Sequence, residues 1–409
     1  MVHMEIQRPI FNRLRREMAE PQILVLTGPR QVGKTTLLRA LERAGGDAGR
    51  RTRFFDLEQP SDLAGLRGDA QDLIDTLVAD ADDLFIDEFY YLAGAGQLFK
   101  AIYDRARAKN RKIKIVASGS SSVEIHSHLG ESLAGRTMTY RIYPLSWEEL
   151  SQWDSPARPD YTDFLRYGGL PGLATVADEE RKQRLLQEYL SAYLFKDIKG
   201  LIKEENIRAF NHLLQLLAQN QGQLVEASSL ARELRVSAPT IERYLSMMDQ
   251  TYVNFLLPSY HTNLANELKK SRKTYLYDLG VRNSILGDFR DPSRREDRGA
   301  IFESAVFLTI RPLLTPNMQL RFWRTKSSHE VDFVVIRNRV PYPIEVKASL
   351  SEPKLPSGLA AFCRKYPKVT RTLTVSDRSF ESRREGNAVH EFLPFSRVPE
   401  FIERIQREE

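Results

Sequence analysis

The run Gln22-Ile-Leu-Val-Leu-Thr-Gly-Pro-Arg-Gln-Val-Gly-Lys-Thr-Thr-Leu-Leu38 constrains this chain more than any other stretch. Ile23 to Leu26 has the form of a short buried parallel strand. It leads straight into Gly28-x-x-x-x-Gly33-Lys34-Thr35, after which Leu37 and Leu38 open a helix. Strand, glycine loop and helix in that order make a P-loop. The glycines let backbone N–H groups converge on a phosphate, and the helix N-terminus adds partial positive charge. Gly28, Pro29, Arg30, Gln31, Val32, Gly33, Lys34, Thr35 and Thr36 are therefore the expected nucleotide cradle. Within it Lys34 is placed to reach the outer phosphates and Thr35 to offer its hydroxyl to Mg2+.

A chain of 409 residues, 42% hydrophobic, can bury about two or three cores, so a multidomain α/β protein is expected. No apolar run approaches the length of a membrane span. The N-terminus lacks the succession of a signal peptide, and the single cysteine, Cys363, excludes an internal disulfide framework. The cytoplasm is the expected compartment. With 60 basic against 54 acidic residues, the net charge of +6 is compatible with an anionic partner but describes a mixed surface.

Downstream, Asp83-Leu-Phe-Ile-Asp-Glu-Phe89 reads as an apolar strand ending in two acids. In a P-loop protein Asp87 would complete the Mg2+ shell and Glu88 would orient and polarise the attacking water. The spacing from the P-loop leaves room for an intervening strand, and the pair points to hydrolysis as well as binding. The strand Ile113-Lys-Ile-Val-Ala117 ends in Ser118-Gly-Ser-Ser-Ser122, where Ser118 or Ser120 is a candidate sensor of the γ-phosphate, a plain turn being the alternative. Arg136, after a glycine at a strand start, is a candidate arginine finger in its own or a neighbouring subunit, with a surface ion pair as the competing reading. Residues 161–200 read as helices around the turn Tyr167-Gly-Gly-Leu-Pro-Gly172.

Gly-Pro-Arg-Gln-Val-Gly-Lys-Thr-Thr (28–36), Leu-Phe-Ile-Asp-Glu (84–88), Ser-Gly-Ser-Ser (118–121), Leu-Ala-Gly-Arg (133–136), Pro-Leu-Ser (144–146) and Tyr-Gly-Gly-Leu-Pro (167–171) together resemble the AAA-type archaeal-ATPase-like family, whose members carry a C-terminal domain of unknown function. The resemblance implies a P-loop ATPase core with an additional strand in its parallel sheet, a winged-helix segment and a restriction-endonuclease-like C-terminal α/β fold. The expected division is a core over 1–150, a helical lid over 151–205, a winged-helix segment over 206–285 and the nuclease-like domain over 286–409.

The middle of the chain agrees with that layout. Leu224 to Leu234 reads as a first short helix and Thr240 to Asp249 as a second, with Ser237 as N-cap and Pro239 in the first turn. The second helix offers Arg243 to DNA but also carries Glu242, so protein contact is the alternative, and Lys269, Lys270, Arg272 and Lys273 follow at the next turn.

In the last third, the nearly all-apolar helix from Gly299 to Ile310 is interrupted by Glu303, a carboxylate that needs a partner or a metal. His329 to Ile336 and Tyr342 to Lys347 read as two strands. A turn centred on Asn338 and Arg339 sets Asp332 opposite Glu345, with Lys347 on the same face. Facing carboxylates repel unless a cation lies between them, so a metal is expected. The set Glu303, Asp332, Glu345 and Lys347 resembles a PD-(D/E)xK nuclease core. By that resemblance the three acids would bind a second Mg2+ or Mn2+ and Lys347 would position the nucleophile.

Two readings remain open from sequence. One is an ATPase coupled to DNA processing; the other is an ATP-dependent regulatory switch whose nuclease-like domain is inactive and recognises proteins. Candidate partners are ATP, double-stranded DNA and further copies of the chain.

Overall fold

The computed structural model describes residues 6–66, 70–120, 133, 135–196, 207–261, 272–326 and 329–408. The chain divides into two compact units, residues 1–144 with 250–252, and residues 145–249 with 253–409.

The first unit is built on five parallel strands: β1 (Ile23–Thr27), β2 (Thr52–Asp56), β3 (Asp83–Asp87), β4 (Lys114–Gly119) and β5 (Thr137–Arg141), in the spatial order β2-β3-β4-β1-β5. The inserted strand of the sheet is β4, which pairs with β1 on one side and β3 on the other. β1, β3 and β4 are buried along their whole length, as continuous apolar runs with helices on both faces should be. Ile23, Val25, Leu84, Ile86 and Ile115 pack with Phe99 and Ile102 of the helix Ala95–Ala108. Because all the strands run the same way, the loops after β1, β3 and β4 open at one end of the sheet, where open α/β sheets bind ligands.

The second unit contains two sheets. Helix Ile207–Gln219, β6 (Leu224–Val225), helices Ala227–Leu234 and Ala238–Gln250, β7 (Asn254–Leu257) and β8 (Arg272–Leu276) follow in sequence, and the strands form an antiparallel sheet in the order β6-β8-β7. Ser237 accepts the Thr240 N–H through its hydroxyl at 3.2 Å, as the sequence suggests. A mixed six-stranded sheet follows: β9 (Met318–Arg324), β10 (Glu330–Arg337), β11 (Val340–Val346), β12 (Arg371–Ser376), β13 (Phe380–Glu385) and β14 (Ala388–Pro394), ordered β13-β14-β12-β11-β10-β9. Helix Arg298–Leu313, carrying Glu303, buries Ile301, Phe302, Val306, Phe307 and Ile310.

The stretch Gly168-Gly169 has a definite structural task in this unit. The Gly169 N–H donates to Asp278 at 2.7 Å, and a Cβ on Gly169 would lie 2.0 Å from the Leu145 carbonyl oxygen. Asp278 also caps the helix Leu279–Leu286 through the Val281 N–H at 3.0 Å. One buried carboxylate thereby joins the turn after one helix to the start of another.

Candidate active site

At the C-terminal end of the parallel sheet, the P-loop takes the shape its glycines permit. Gly28 has φ 144° and packs so tightly that a Cβ would meet the Ile142 carbonyl oxygen at 2.2 Å. Gln31 and Gly33 have φ 61° and 90°, and left-handed residues of this kind turn successive N–H groups inward as an anion nest. Gly33 caps the helix Lys34–Asp47. Thr35 and Thr36 on its first turn are exposed. Lys34 is buried and folds back on its own loop, donating to the carbonyls of Gly28 at 3.1 Å and Pro29 at 2.8 Å. Its ammonium lies 4.0 Å from Glu88. Burial pulls the Lys34 pKa below the lysine range, with Glu88 and Asp87 opposing that pull only in part.

β3 delivers both acids to this end. Asp87 is 2% exposed and accepts a hydrogen bond from the Ser118 hydroxyl. The Glu88 N–H donates to the Ser118 Oγ at 3.3 Å. Glu88 leaves the strand in a left-handed conformation, φ 49°, and one of its carboxylate oxygens is buried without a partner. Burial raises its pKa above the ordinary carboxylate range against the pull of Lys34. Ser118 is thus a brace beneath both acids, and Ser120 bonds the Tyr90 hydroxyl at 3.3 Å. The donor set fits Mg2+ and ATP: exposed Thr35, the Asp87 carboxylate, a nest of backbone N–H groups and an unsatisfied oxygen on Glu88 all meet at this end of the sheet.

Arg136 does not join them. Its carbonyl accepts from the Ile23 N–H at 2.8 Å, and Thr137 pairs with Ile23, so it stands at the entrance of β1, about 16 Å of strand away from the loop at the exit. Its side chain lies 3.7 Å from Asp104. A finger role on the phosphate bound by its own chain is therefore corrected, because a parallel β5 puts residue 136 at the wrong end of the sheet. The arginine that β5 brings level with the loop is Arg141, opposite Thr27, with its guanidinium 4.7 Å from the centre of the Tyr252 ring. Arg8 also escapes a motif-based reading. It donates to the Val32 carbonyl at 2.8 Å and the Tyr143 carbonyl at 2.9 Å, tying the P-loop to the segment after β5.

The second constellation also assembles, with an addition. The β10/β11 ladder pairs Phe333 with Ile344 and Arg337 with Val340, leaving Asn338 and Arg339 as the turn with φ 50° and 67°. One rung beyond Phe333 and Ile344, Asp332 faces Glu345. Lys347 donates to Glu345 at 2.7 Å. Into this cluster comes Lys273 of β8. Its ammonium lies 2.6 Å from Glu330, 3.1 Å from Glu303 and 3.5 Å from Asp332. Tyr275, two residues on, donates its hydroxyl to Glu303 at 2.6 Å. Burial pushes Glu303 up to about 7 and Glu345 up to about 8, with Asp332 adding to both. Lys273 is buried, yet Glu303, Asp332 and Glu330 outweigh the burial and hold its ammonium above the lysine range.

Lys273 is therefore no DNA contact, and Arg272 is paired with Glu242; Lys269 and Lys270 lie outside the described residues. The sequence signal for Lys273 is a lysine within Lys-Thr-Tyr-Leu-Tyr, an otherwise inward-facing strand. The metal expected at this cluster does not fit it, because the place between Glu303 and Asp332 is taken by an ammonium. Among the described residues no group of three or more His, Cys, Asp or Glu is arranged to hold a metal ion.

Comparison with known proteins gives a family for the segment that carries the first site. The family described as AAA domain matches residues 20–151. Two families described as domains of unknown function, DUF8612 and DUF4143, match residues 158–291 and 298–398. The chain is 29% identical to an uncharacterized protein of Mycobacterium tuberculosis, over 83% of this chain and 74% of that one. It is 23% identical to an uncharacterized protein of Methanocaldococcus jannaschii, over 78% and 74% of the two. Among solved structures, AMPPCP-bound DnaA from Aquifex aeolicus covers 59% of this chain and 86% of its own at 15% identity and a TM-score of 0.32. A RuvB variant from Thermotoga maritima covers 60% and 85% at 16% identity and a TM-score of 0.32. Residues 20–151 form an AAA-type P-loop ATPase domain, and no helix among the described residues is long and apolar enough to cross a membrane.

Proposed function

We propose that the chain is an ATP-hydrolysing switch, in which cleavage of ATP to ADP and phosphate at residues 28–36 changes what the second unit binds. The observation that carries this reading is Glu88. It is held in a left-handed turn at the exit of β3, with one buried carboxylate oxygen unpartnered and the other 4.0 Å from the Lys34 ammonium. On nucleotide binding, Lys34 exchanges the carbonyls of Gly28 and Pro29 for phosphate oxygens, and the nest of loop N–H groups holds the rest of the triphosphate. Thr35 and Asp87 would hold Mg2+, which would supply positive charge against that developing on the phosphoryl oxygens. Released from Lys34, Glu88 orients the attacking water and takes its proton. Ser118 keeps Asp87 and the Glu88 backbone in register for these tasks.

The test is Glu88→Gln in a single-turnover assay. ATP binding should persist and phosphate release should fall about 10²- to 10³-fold, and release at the wild-type rate removes Glu88 from the chemistry. A trans role for Arg136 additionally requires an oligomer, so a protein that hydrolyses ATP as a monomer excludes it.

For the output, the order helix, strand, helix, helix, strand, strand among the described residues of 207–276 supports a winged-helix reading, and helix Ala238–Gln250 exposes Arg243. DNA is then the partner, and ATP turnover should rise when DNA is added. The alternative partner is a protein, favoured by the pairing of Arg272 with Glu242 and the burial of Lys273, which remove two cations from that surface. Turnover indifferent to DNA selects it.

A further inference from the structure

We propose that Lys273 is the built-in cation of the Glu303/Glu330/Asp332/Glu345 cluster, so that this nuclease-like site holds an ammonium where a divalent metal would sit and neither binds Mg2+ or Mn2+ nor cuts phosphodiesters. The inference goes beyond the ATPase reading and is independent of it.

The acceptor oxygens are already committed. Glu303 Oε1 receives both the Tyr275 hydroxyl, at 2.6 Å, and the Lys273 ammonium, at 3.1 Å. Asp332 Oδ2 accepts the Val346 N–H at 2.8 Å, and its Oδ1 faces Lys273 at 3.5 Å. Glu345 Oε1 accepts from Lys347, and Glu330 lies between Lys273 and Arg324, the latter at 3.5 Å. One buried acceptor of the cluster, Glu345 Oε2, has no partner. To ligate Mg2+, whose octahedral shell is exacting, Glu303 Oε1 and Asp332 Oδ1 would have to give up the Lys273 ammonium that lies between them. In charge, four carboxylates face the three cations Lys273, Lys347 and Arg324. With Glu303 and Glu345 raised towards their neutral forms, these three cations already meet the charge of the set, and removing Lys273 opens the place a divalent ion would take.

The cluster is also roofed. β8 lies over it, and its Tyr275 ring stacks on Phe307 of the Glu303 helix with centroids 4.2 Å apart. The turn at Gln221 and Gly222 is pinned to β8, Gly222 N–H to the Thr274 carbonyl at 3.0 Å and Leu276 N–H to Gln221 at 2.8 Å. Gly222 has φ 71°, and a Cβ there would lie 2.7 Å from the Glu303 carboxylate. The Lys273 side chain is 2% exposed. Solvent reaches the cluster at Lys347 and Glu330, while Lys273 is closed off beneath β8, and the cluster acts as an ionic clasp holding the three-stranded sheet against the Glu303 helix and β10.

The experiment titrates Mn2+ into the nucleotide-free full chain, with free Mn2+ read by electron paramagnetic resonance, for wild type, Asp332→Asn, Lys273→Met and Lys273→Met/Asp332→Asn. Wild type and Asp332→Asn should bind Mn2+ identically. Lys273→Met should gain one Mn2+ that the double variant lacks, and Mn2+ should raise its melting temperature. Wild-type binding that Asp332→Asn abolishes overturns the proposal, as does a folded Lys273→Met chain that gains no ion. If Lys273→Met does not fold, the first pair decides alone. Supercoiled plasmid with Mg2+ or Mn2+, with and without ATP, adds a second readout: nicking that disappears in Asp332→Asn overturns the proposal. Failure of the ATPase reading is seen separately, in Glu88→Gln.

Discussion

Two buried lysines, each beside acidic residues, do opposite things in this molecule. Lys34 touches carbonyl oxygens at 2.8 and 3.1 Å and stands 4.0 Å from Glu88, so its burial is compensated poorly and its pKa falls. Lys273 touches Glu330 and Glu303 directly, and its pKa rises. The first ammonium is held by neutral carbonyls, which an anion can replace; the second has already found its anions within the chain. Whether a buried cation makes a binding site or a clasp is decided by how completely its own protein neutralises it.

The sharpest way to break this contrast is stability. Lys273→Met leaves Glu303, Glu330 and Asp332 without their shared cation, which should cost about 3–5 kcal/mol in denaturant unfolding of the second unit. Lys34→Met should cost nothing or stabilise the first unit, because a lysine whose folded pKa lies below its unfolded value weakens the fold at neutral pH. Equal losses from the two variants would mean that the two environments are equivalent after all. Activity should respond the other way. Lys34→Met should lower ATP turnover by about 10²- to 10³-fold, or about 3–4 kcal/mol, in steady-state phosphate release. A Lys273→Arg chain, which keeps the charge, should turn over ATP as wild type does.

How legible each lysine is in the sequence follows from where its partners come from. Lys34 and its loop are local, so strand, glycines and helix start identify them within about fifteen residues. The hairpin turn at Asn338 and Arg339 is legible for the same reason, since a period of two on both sides fixes the register. Lys273 is not, because β8 meets Glu303 and Asp332 only through tertiary packing, and a Lys-Lys-Ser-Arg-Lys run reads as a basic surface. Arg136 misleads in a similar way: its glycine neighbour suggests a phosphate contact, but the parallel pairing of β5 with β1 decides which end of the sheet it occupies. The hairpin β13/β14 also leaves little trace, because β13 is Phe-Glu-Ser-Arg-Arg-Glu at the sheet edge, almost wholly exposed and without an apolar period.

Smaller effects refine the first site. Ser118→Ala removes the hydroxyl that donates to Asp87 and accepts from the Glu88 N–H, and should slow turnover about tenfold while leaving ATP binding within about twofold, as for the loss of about 1–1.5 kcal/mol of hydrogen bonding. A larger loss of binding than of rate would make Ser118 a ligand contact.

The smallest effect bears on the contrast itself. If burial holds the Lys34 pKa below the lysine range in the free protein, bound phosphate must raise it, so ATP binding takes up a proton at a pH between the two values. Titration calorimetry across a pH series, at each pH in two buffers of different ionisation enthalpy, measures that uptake, which should be a fraction of about one proton and should vanish in Lys34→Met. The sign follows from linkage: affinity for ATP falls as pH rises through the window between the free and bound values. Lys273 contributes nothing there, since its carboxylates hold it charged throughout. Uptake that persists in Lys34→Met would place the responsive group elsewhere in the site and leave the two lysines alike in their protonation, with only their neighbours to distinguish them.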